Sequence, residues 1–218
     1  MSESTVIYYS SNREDWGFEK RIIKLLLNSC GDLPIVSVTH KPVNLGKNIC
    51  VGDVGTSGFN MFRQVHIACQ EAKTRFVISA EADCLYPPDY FTFIPEKDDV
   101  FYRNSNLYLM GNKRDYFFRK PEGSTFSQVV NREHYLSILD KLFTGAPDWS
   151  AEEKNFPKGR WKIQDVPDKQ EMYFTENPCV SLKTGQGMRH YSPSERVRID
   201  DIPYWGNGKK LKRRLVYG

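Results

Sequence analysis

The chain has 218 residues, of which 39 % are hydrophobic and 13 % aromatic, enough apolar mass for one substantial core and too much for general disorder. With 31 Lys and Arg against 27 Asp and Glu the formal net charge is +4, so overall charge alone excludes no class of partner. No stretch approaches a membrane-spanning helix, and Cys30, Cys50, Cys69, Cys84 and Cys179 form no C-x-x-C pair, which argues against a zinc or disulfide framework and for a cytoplasmic setting.

Thr5-Val6-Ile7-Tyr8-Tyr9-Ser10 reads as a strand, stopped by the polar turn Ser11-Asn12-Arg13-Glu14-Asp15. A helix is predicted from about Phe18 to Cys30, with Ile22, Ile23, Leu25, Leu26 and Leu27 making one broad face and Gly31 ending it. Pro34 to His40 is β-rich, and Lys41 to Gly55, with Pro42, Asn44, Gly46, Gly52 and Gly55, predicts a loop. A second helix is predicted from about Ser57 to Lys73. The apolar run Arg75-Phe76-Val77-Ile78-Ser79-Ala80 then leads into Glu81-Ala82-Asp83, and Pro87-Pro88 closes the segment.

This is a β-α-β-α-β order, and right-handed crossovers put its three strands parallel in one sheet. Open α/β sheets bind ligands beyond the carboxyl ends of their strands. Here those ends carry Ser10 to Arg13, His40 with Lys41, and Glu81 to Asp83. Residues two apart on a strand share a face, so Glu81 and Asp83 aim together, and a divalent cation would relieve their repulsion.

The second half leans antiparallel. Asp99 to Arg103 and Asn106 to Met110 read as strands paired around Asn104-Ser105, with Tyr116 to Arg119 as a further strand. Ser127 to Leu142 predicts a helix and Asn177 to Leu182 a late strand. Between them, Phe143 to Lys162 is a loop-rich stretch with acids at Asp148, Glu152 and Glu153. Lys209, Lys210, Lys212, Arg213 and Arg214 crowd the C-terminal end, either as a solvated tail or as a surface for DNA phosphates or an anionic membrane.

The acidic motif Glu81-Ala82-Asp83, preceded by two strand-loop-helix units and followed by Cys84-Leu85-Tyr86-Pro87-Pro88-Asp89-Tyr90-Phe91, resembles the GT-A glycosyltransferases of bacterial and phage origin. The resemblance spans roughly residues 5–110 and departs from D-x-D at its first position. It implies a GT-A type α/β fold in a single domain: a Rossmann-like nucleotide-sugar half (about 1–95), a smaller antiparallel acceptor half (about 96–205) and a basic tail (206–218). It further implies a transferase using a nucleotide-sugar, foremost a UDP-sugar, with Mn²⁺ or Mg²⁺ held by Glu81, Asp83 and, after the late strand, His190. Ser10, Ser11, Asn12, Arg13, His40, Lys41, Arg63 and Lys183 become the candidate donor-binding residues. Asp148, Glu152 or Glu153 would be the general base if the reaction inverts configuration.

The acceptor is a hydroxyl, with a 5-hydroxymethylpyrimidine in DNA, as in phage DNA-modifying enzymes, favoured slightly over a surface polysaccharide or lipid-linked saccharide. Two other classes compete. A sugar nucleotidyltransferase wants a glycine-rich loop after the first strand, and Ser10 to Asp15 has no glycine. A non-catalytic nucleic-acid-binding domain would use the basic run alone.

Overall fold

The computed structural model describes residues 2–111, 113–151, 169–184, 195 and 197–216. Its first half comprises β1 (Ser4–Ser10), α1 (Trp16–Cys30), β2 (Ile35–Thr39), β3 (Lys47–Cys50), α2 (Gly58–Glu71), β4 (Phe76–Glu81) and the two-residue β5 (Cys84–Leu85). A 3-10 turn (Pro88–Thr92) follows, then β6 (Phe101–Asn104), β7 (Leu107–Gly111), β8 (Phe117–Lys120), β9 (Gln128–Asn131) and α3 (Arg132–Phe143). The last elements are β10 (Gln170–Tyr173), β11 (Cys179–Lys183), β12 (Asp201–Ile202), β13 (Gly206–Asn207) and α4 (Gly208–Val216).

Seven strands form the main sheet in the order β10-β6-β9-β4-β1-β2-β3. As the pattern of the first half predicts, β1 lies parallel between β4 and β2, with Tyr9 opposite Glu81 and Val38. Side chains alternate between two cores, because successive strand residues face opposite ways. Val6, Tyr8, Phe76 and Ile78 pack with Leu26 of α1 and with Tyr86, Tyr90 and Phe91. Ile7, Tyr9, Val36, Val38 and Val77 pack under Phe59, Phe62 and Val65 of α2 and Tyr135 of α3. Cover on both faces explains why β1 is buried along its whole length. A second sheet, β5-β11-β7-β8, adjoins the first, with β11 parallel to β7 and antiparallel to β5.

Four expectations are corrected. The stretch Lys41 to Gly55 is not all loop: β3 pairs in parallel with β2. Its Lys-Asn-Ile-Cys sequence has little β signal, and Asn48 holds it by donating to Ser37 Oγ and Thr39 Oγ1, both at 2.9 Å. Residues Gln128–Asn131 are a strand rather than the start of a helix, since β-branched Val129 and Val130 fill the sheet and Asn131 caps α3 through the His134 amide at 3.0 Å. Neighbouring β6 and β7 do not pair with each other. Asn104 and Asn106 instead carry the chain between the two sheets, anchored on Thr175 at 2.8 and 2.9 Å. Finally, the basic run is a helix, α4, whose Leu211 and Leu215 are buried against Phe18 and Ile22 of α1.

Gly46 sets the entry to β3 with φ of +56°, and a Cβ there would sit 2.3 Å from the Ile35 carbonyl oxygen. Gly46→Ala is therefore expected to cost about 2–3 kcal/mol of stability, read from urea unfolding.

Candidate active site

The sheet edge at the carboxyl ends of β1, β2 and β4 is tied together by buried polar side chains. Asn12, in the left-handed region with φ of 48°, takes its own amide to Ser10 Oγ (2.9 Å) and accepts the Lys41 amide (2.7 Å). Its Nδ2 donates to Oε1 of Glu19 at 3.0 Å, which also accepts the Tyr8 hydroxyl at 2.7 Å. From the α2 side, Gln64 Nε2 donates to the carbonyls of Ser10 (3.0 Å) and Val38 (2.9 Å). Two strand ends and their loops are thus fixed by three side chains, two of them on helices.

The acidic motif ends β4 beside these loops. Glu81 accepts the Tyr9 hydroxyl at 2.9 Å, while its amide donates to Tyr86 Oη at 3.0 Å. Asp83 is 1 % exposed, and its Oδ1 accepts the Cys84 thiol at 3.3 Å. Its Oδ2 is buried without a hydrogen bond among the described residues. Lys183, at the end of β11, brings Nζ to 3.9 Å of that oxygen. Ligand-capable atoms of Glu81, Asp83 and Cys84 all lie within 4.8 Å of one another.

Electrostatics follow from that crowding. Burial, and then the Asp83 charge, push the Glu81 carboxyl up to about 7, against the pull of Lys183 and Tyr9. Burial likewise raises Asp83, opposed chiefly by Lys183. For Lys183, burial works against the ammonium, yet Asp83, Cys84, Glu81 and Glu14 together hold it above its ordinary value. Burial and the two carboxylates drive the Cys84 thiol well up, so it serves as a donor to Asp83 rather than as a thiolate ligand.

One ammonium facing two strained carboxylates, with one buried oxygen unbonded, fits a hard divalent cation bound through oxygen. Glu81 and Asp83 are the groups that would hold it. Such a cation needs ionised carboxylates. A carboxyl raised from 4.5 to about 7 binds a proton in the folded chain that the unfolded chain has lost. Its stabilisation is complete below about 4.5 and disappears as pH rises through 7. The metal-free chain should therefore lose stability across that window while Mn²⁺ affinity grows. The Mn²⁺-induced rise in Tm is expected to be small near about pH 5.5 and full near about pH 8.

Glu14 lies one layer outward. Its Oε1 accepts the Thr184 hydroxyl at 2.7 Å, and burial, only partly offset by that bond, raises its carboxyl to about 7. Glu14, Thr184 and Lys183, with Asp15 and Lys212, form the polar side of a cleft of about 190 Å³ whose apolar walls include Phe18, Met110, Leu182 and Leu215. Neither Glu14, Glu19 nor Tyr9 stands out in the sequence. The position of Glu14 in the loop after the first strand was the available signal.

The other sequence candidates divide. Ser10, Asn12 and His40 are buried at the edge, Ser11 is half-buried, and Arg13 and Lys41 are exposed there. Burial lowers the His40 pKa, Asp53 at 3.7 Å opposes, and Arg13 adds to the lowering, so the ring is neutral at pH 7. Arg63 is engaged on α2: it donates to the carbonyls of Asp148 (3.0 Å) and Pro147 (2.9 Å) and lies 3.7 Å over the Phe143 ring. That ties α2 to the loop after α3 and leaves the Asp148 side chain exposed. Glu152, Glu153 and His190 lie outside the described residues.

No family model and no curated protein matches the chain. Among solved structures it is similar to TarS of S. aureus, with a TM-score of 0.51 at 10% identity over 83% of this chain and 37% of that one. A glycosyltransferase involved in the glycosylation of the major capsid of PBCV-1 aligns at 0.46 and 10% identity, covering 78% and 81%. The mannosyltransferase PcManGT of Pyrobaculum calidifontis, solved with GDP-Man and Mn²⁺, aligns at 0.48 and 13% identity, covering 82% and 56%. The fold is the GT-A fold. The GT-A likeness extends to the parallel-rich main sheet and the smaller mixed sheet beside it, and at such identity it is a likeness of fold alone. The chain spans little more than a third of TarS and just over half of PcManGT.

Proposed function

We propose that the chain transfers a sugar from a nucleotide-sugar, foremost a UDP-sugar, to a hydroxyl acceptor. The observation that carries this reading is the buried Glu81–Asp83 pair, with Lys183 at 3.9 Å from Asp83, at the strand edge shared by the loops after β1 and β2. Mn²⁺ or Mg²⁺ held by Glu81 and Asp83 would neutralise charge on the departing diphosphate as a Lewis acid. Lys183 adds a second positive charge beside it. Asn12 orients the loop backbones of Ser11 and Lys41 toward the nucleotide, and neutral His40 adds a ring nitrogen, Nε2, that has no hydrogen bond among the described residues. Asp148 is the described carboxylate offered to the acceptor's proton, beside the proposed Glu152 and Glu153, and His190 is the proposed third metal ligand.

The test is release of nucleoside diphosphate from UDP-, GDP- and TDP-sugars with Mn²⁺, followed by 5-hydroxymethylpyrimidine DNA, plain DNA and a saccharide as acceptors. The expected result is metal-dependent release with one preferred donor, accelerated by one acceptor class. Release that persists without metal and is unchanged in Asp83→Ala would contradict the reading.

A further inference from the structure

The outer faces of α1 and α4 are used by none of the chemistry above. On α4, Leu211 and Leu215 face inward, leaving Lys209, Lys210, Arg213 and Arg214 exposed in two rows of i and i+4. The helix contains no acidic residue. It lies against α1, where Arg21 Nε donates to the Leu215 carbonyl at 2.7 Å. Along its exposed side α1 carries the stripe Trp16, Lys20, Lys24 and Leu27, at i, i+4, i+8 and i+11. Trp16 is 47% and Leu27 45% exposed, and the Lys20 ammonium sits 5.0 Å over the Trp16 ring. Val216 at the end of α4 is 41% exposed. None of the six lysines and arginines named as exposed enters an ion pair among the described residues.

We propose that this face docks on an anionic lipid bilayer. Six cations without an ion pair among the described residues fit a surface of acidic headgroups. What separates a bilayer from a nucleic acid is the apolar component. A phosphate backbone asks only for cations and polar donors. Trp16, Leu27 and Val216 gain from burial at an interface whose interior is apolar, with Lys20 and Lys24 reaching past them to the headgroups. The inference rests on this surface and not on the transfer reading. Docking would also bring the cleft between Phe18 and Leu215 to the lipid surface, the arrangement a lipid-linked acceptor needs.

The experiment is sedimentation of the full chain with vesicles of phosphatidylcholine, with and without roughly one-third phosphatidylglycerol, at about 0.1 M salt. Binding is expected only to the anionic vesicles. Each basic residue near such a surface contributes about fivefold to partitioning, so Lys209→Gln, Lys210→Gln, Arg213→Gln and Arg214→Gln combined should lose more than about a hundredfold. Lys20→Gln with Lys24→Gln, away from α4, should lose about twentyfold and carries the test if the fourfold variant does not fold. Trp16→Ser with Leu27→Ser should lose about tenfold without changing the salt dependence. Three results would overturn the proposal. One is no preference for anionic vesicles. Another is tighter binding to a DNA duplex at the same salt that ignores the Trp16 and Leu27 changes. The last is a dimer, seen by sedimentation velocity, that the same substitutions dissolve.

Discussion

Asp83→Asn is expected to abolish the Mn²⁺-induced rise in Tm and to slow sugar transfer by about a thousandfold or more, leaving the circular dichroism spectrum unchanged. The asparagine keeps an oxygen for the Cys84 thiol, which donates to Asp83 Oδ1 at 3.3 Å. It removes a buried charge that crowds Glu81 but also takes from the buried Lys183 ammonium the carboxylate 3.9 Å away, two effects of opposite sign on metal-free stability. What disappears is the charge a hard cation needs. For the unaltered chain, metal at a hundred times its Kd adds about 2.7 kcal/mol, or about 5–10 °C in a chain of this size. Glu81→Gln should have the same sign and an equal or smaller effect, since Glu81 retains a Tyr9 hydroxyl partner at 2.9 Å. A full Mn²⁺ shift in Asp83→Asn would remove this residue from the metal site.

Glu19→Ala should be the most destabilising single change near the site, by about 3–4 kcal/mol, which lowers Tm by about 10 °C. Glu19 is 0% exposed and accepts from both Tyr8 and Asn12. Alanine leaves a buried hydroxyl and a buried amide without their acceptor, and opens a void. Because Asn12 also holds the Lys41 amide, the loops after β1 and β2 should loosen as well, raising KM for the donor more than it lowers kcat. Glu19→Gln preserves shape and one acceptor and should cost less than about 1.5 kcal/mol. Urea unfolding separates the two variants, and equal stability for Glu19→Ala and the unaltered chain would refute the clamp.

The parallel half of the fold was legible because its signals are local. Val6 to Tyr9 and Phe76 to Ala80 are short runs rich in β-branched and aromatic residues, of the length of strands buried on both faces. The helices between them have clean apolar faces, ended at Gly31 and capped at Ser57. Their order alone brought Ser10–Arg13, His40–Lys41 and Glu81–Asp83 to one edge. The second half was harder because its contacts are distant. Val129 and Val130 join a helical periodicity and a strand equally well, and only pairing with Val77 and Ile78 decides between them. Likewise β6 and β7 look like a hairpin until Thr175, some seventy residues on, draws Asn104 and Asn106 into a crossing between sheets. At the site, the carboxylate pair could be found by spacing. Glu19 could not, since an acid in the first turn of a helix is favoured for its dipole alone and nothing local signals burial against Tyr8.

Titration of UDP into the chain by calorimetry, with and without Mn²⁺, tests the central claim most directly. Tight UDP binding that requires Mn²⁺ and is lost in Asp83→Asn is the predicted result. Equal UDP affinity with metal, without metal and in Asp83→Asn would contradict a diphosphate site built on Glu81 and Asp83.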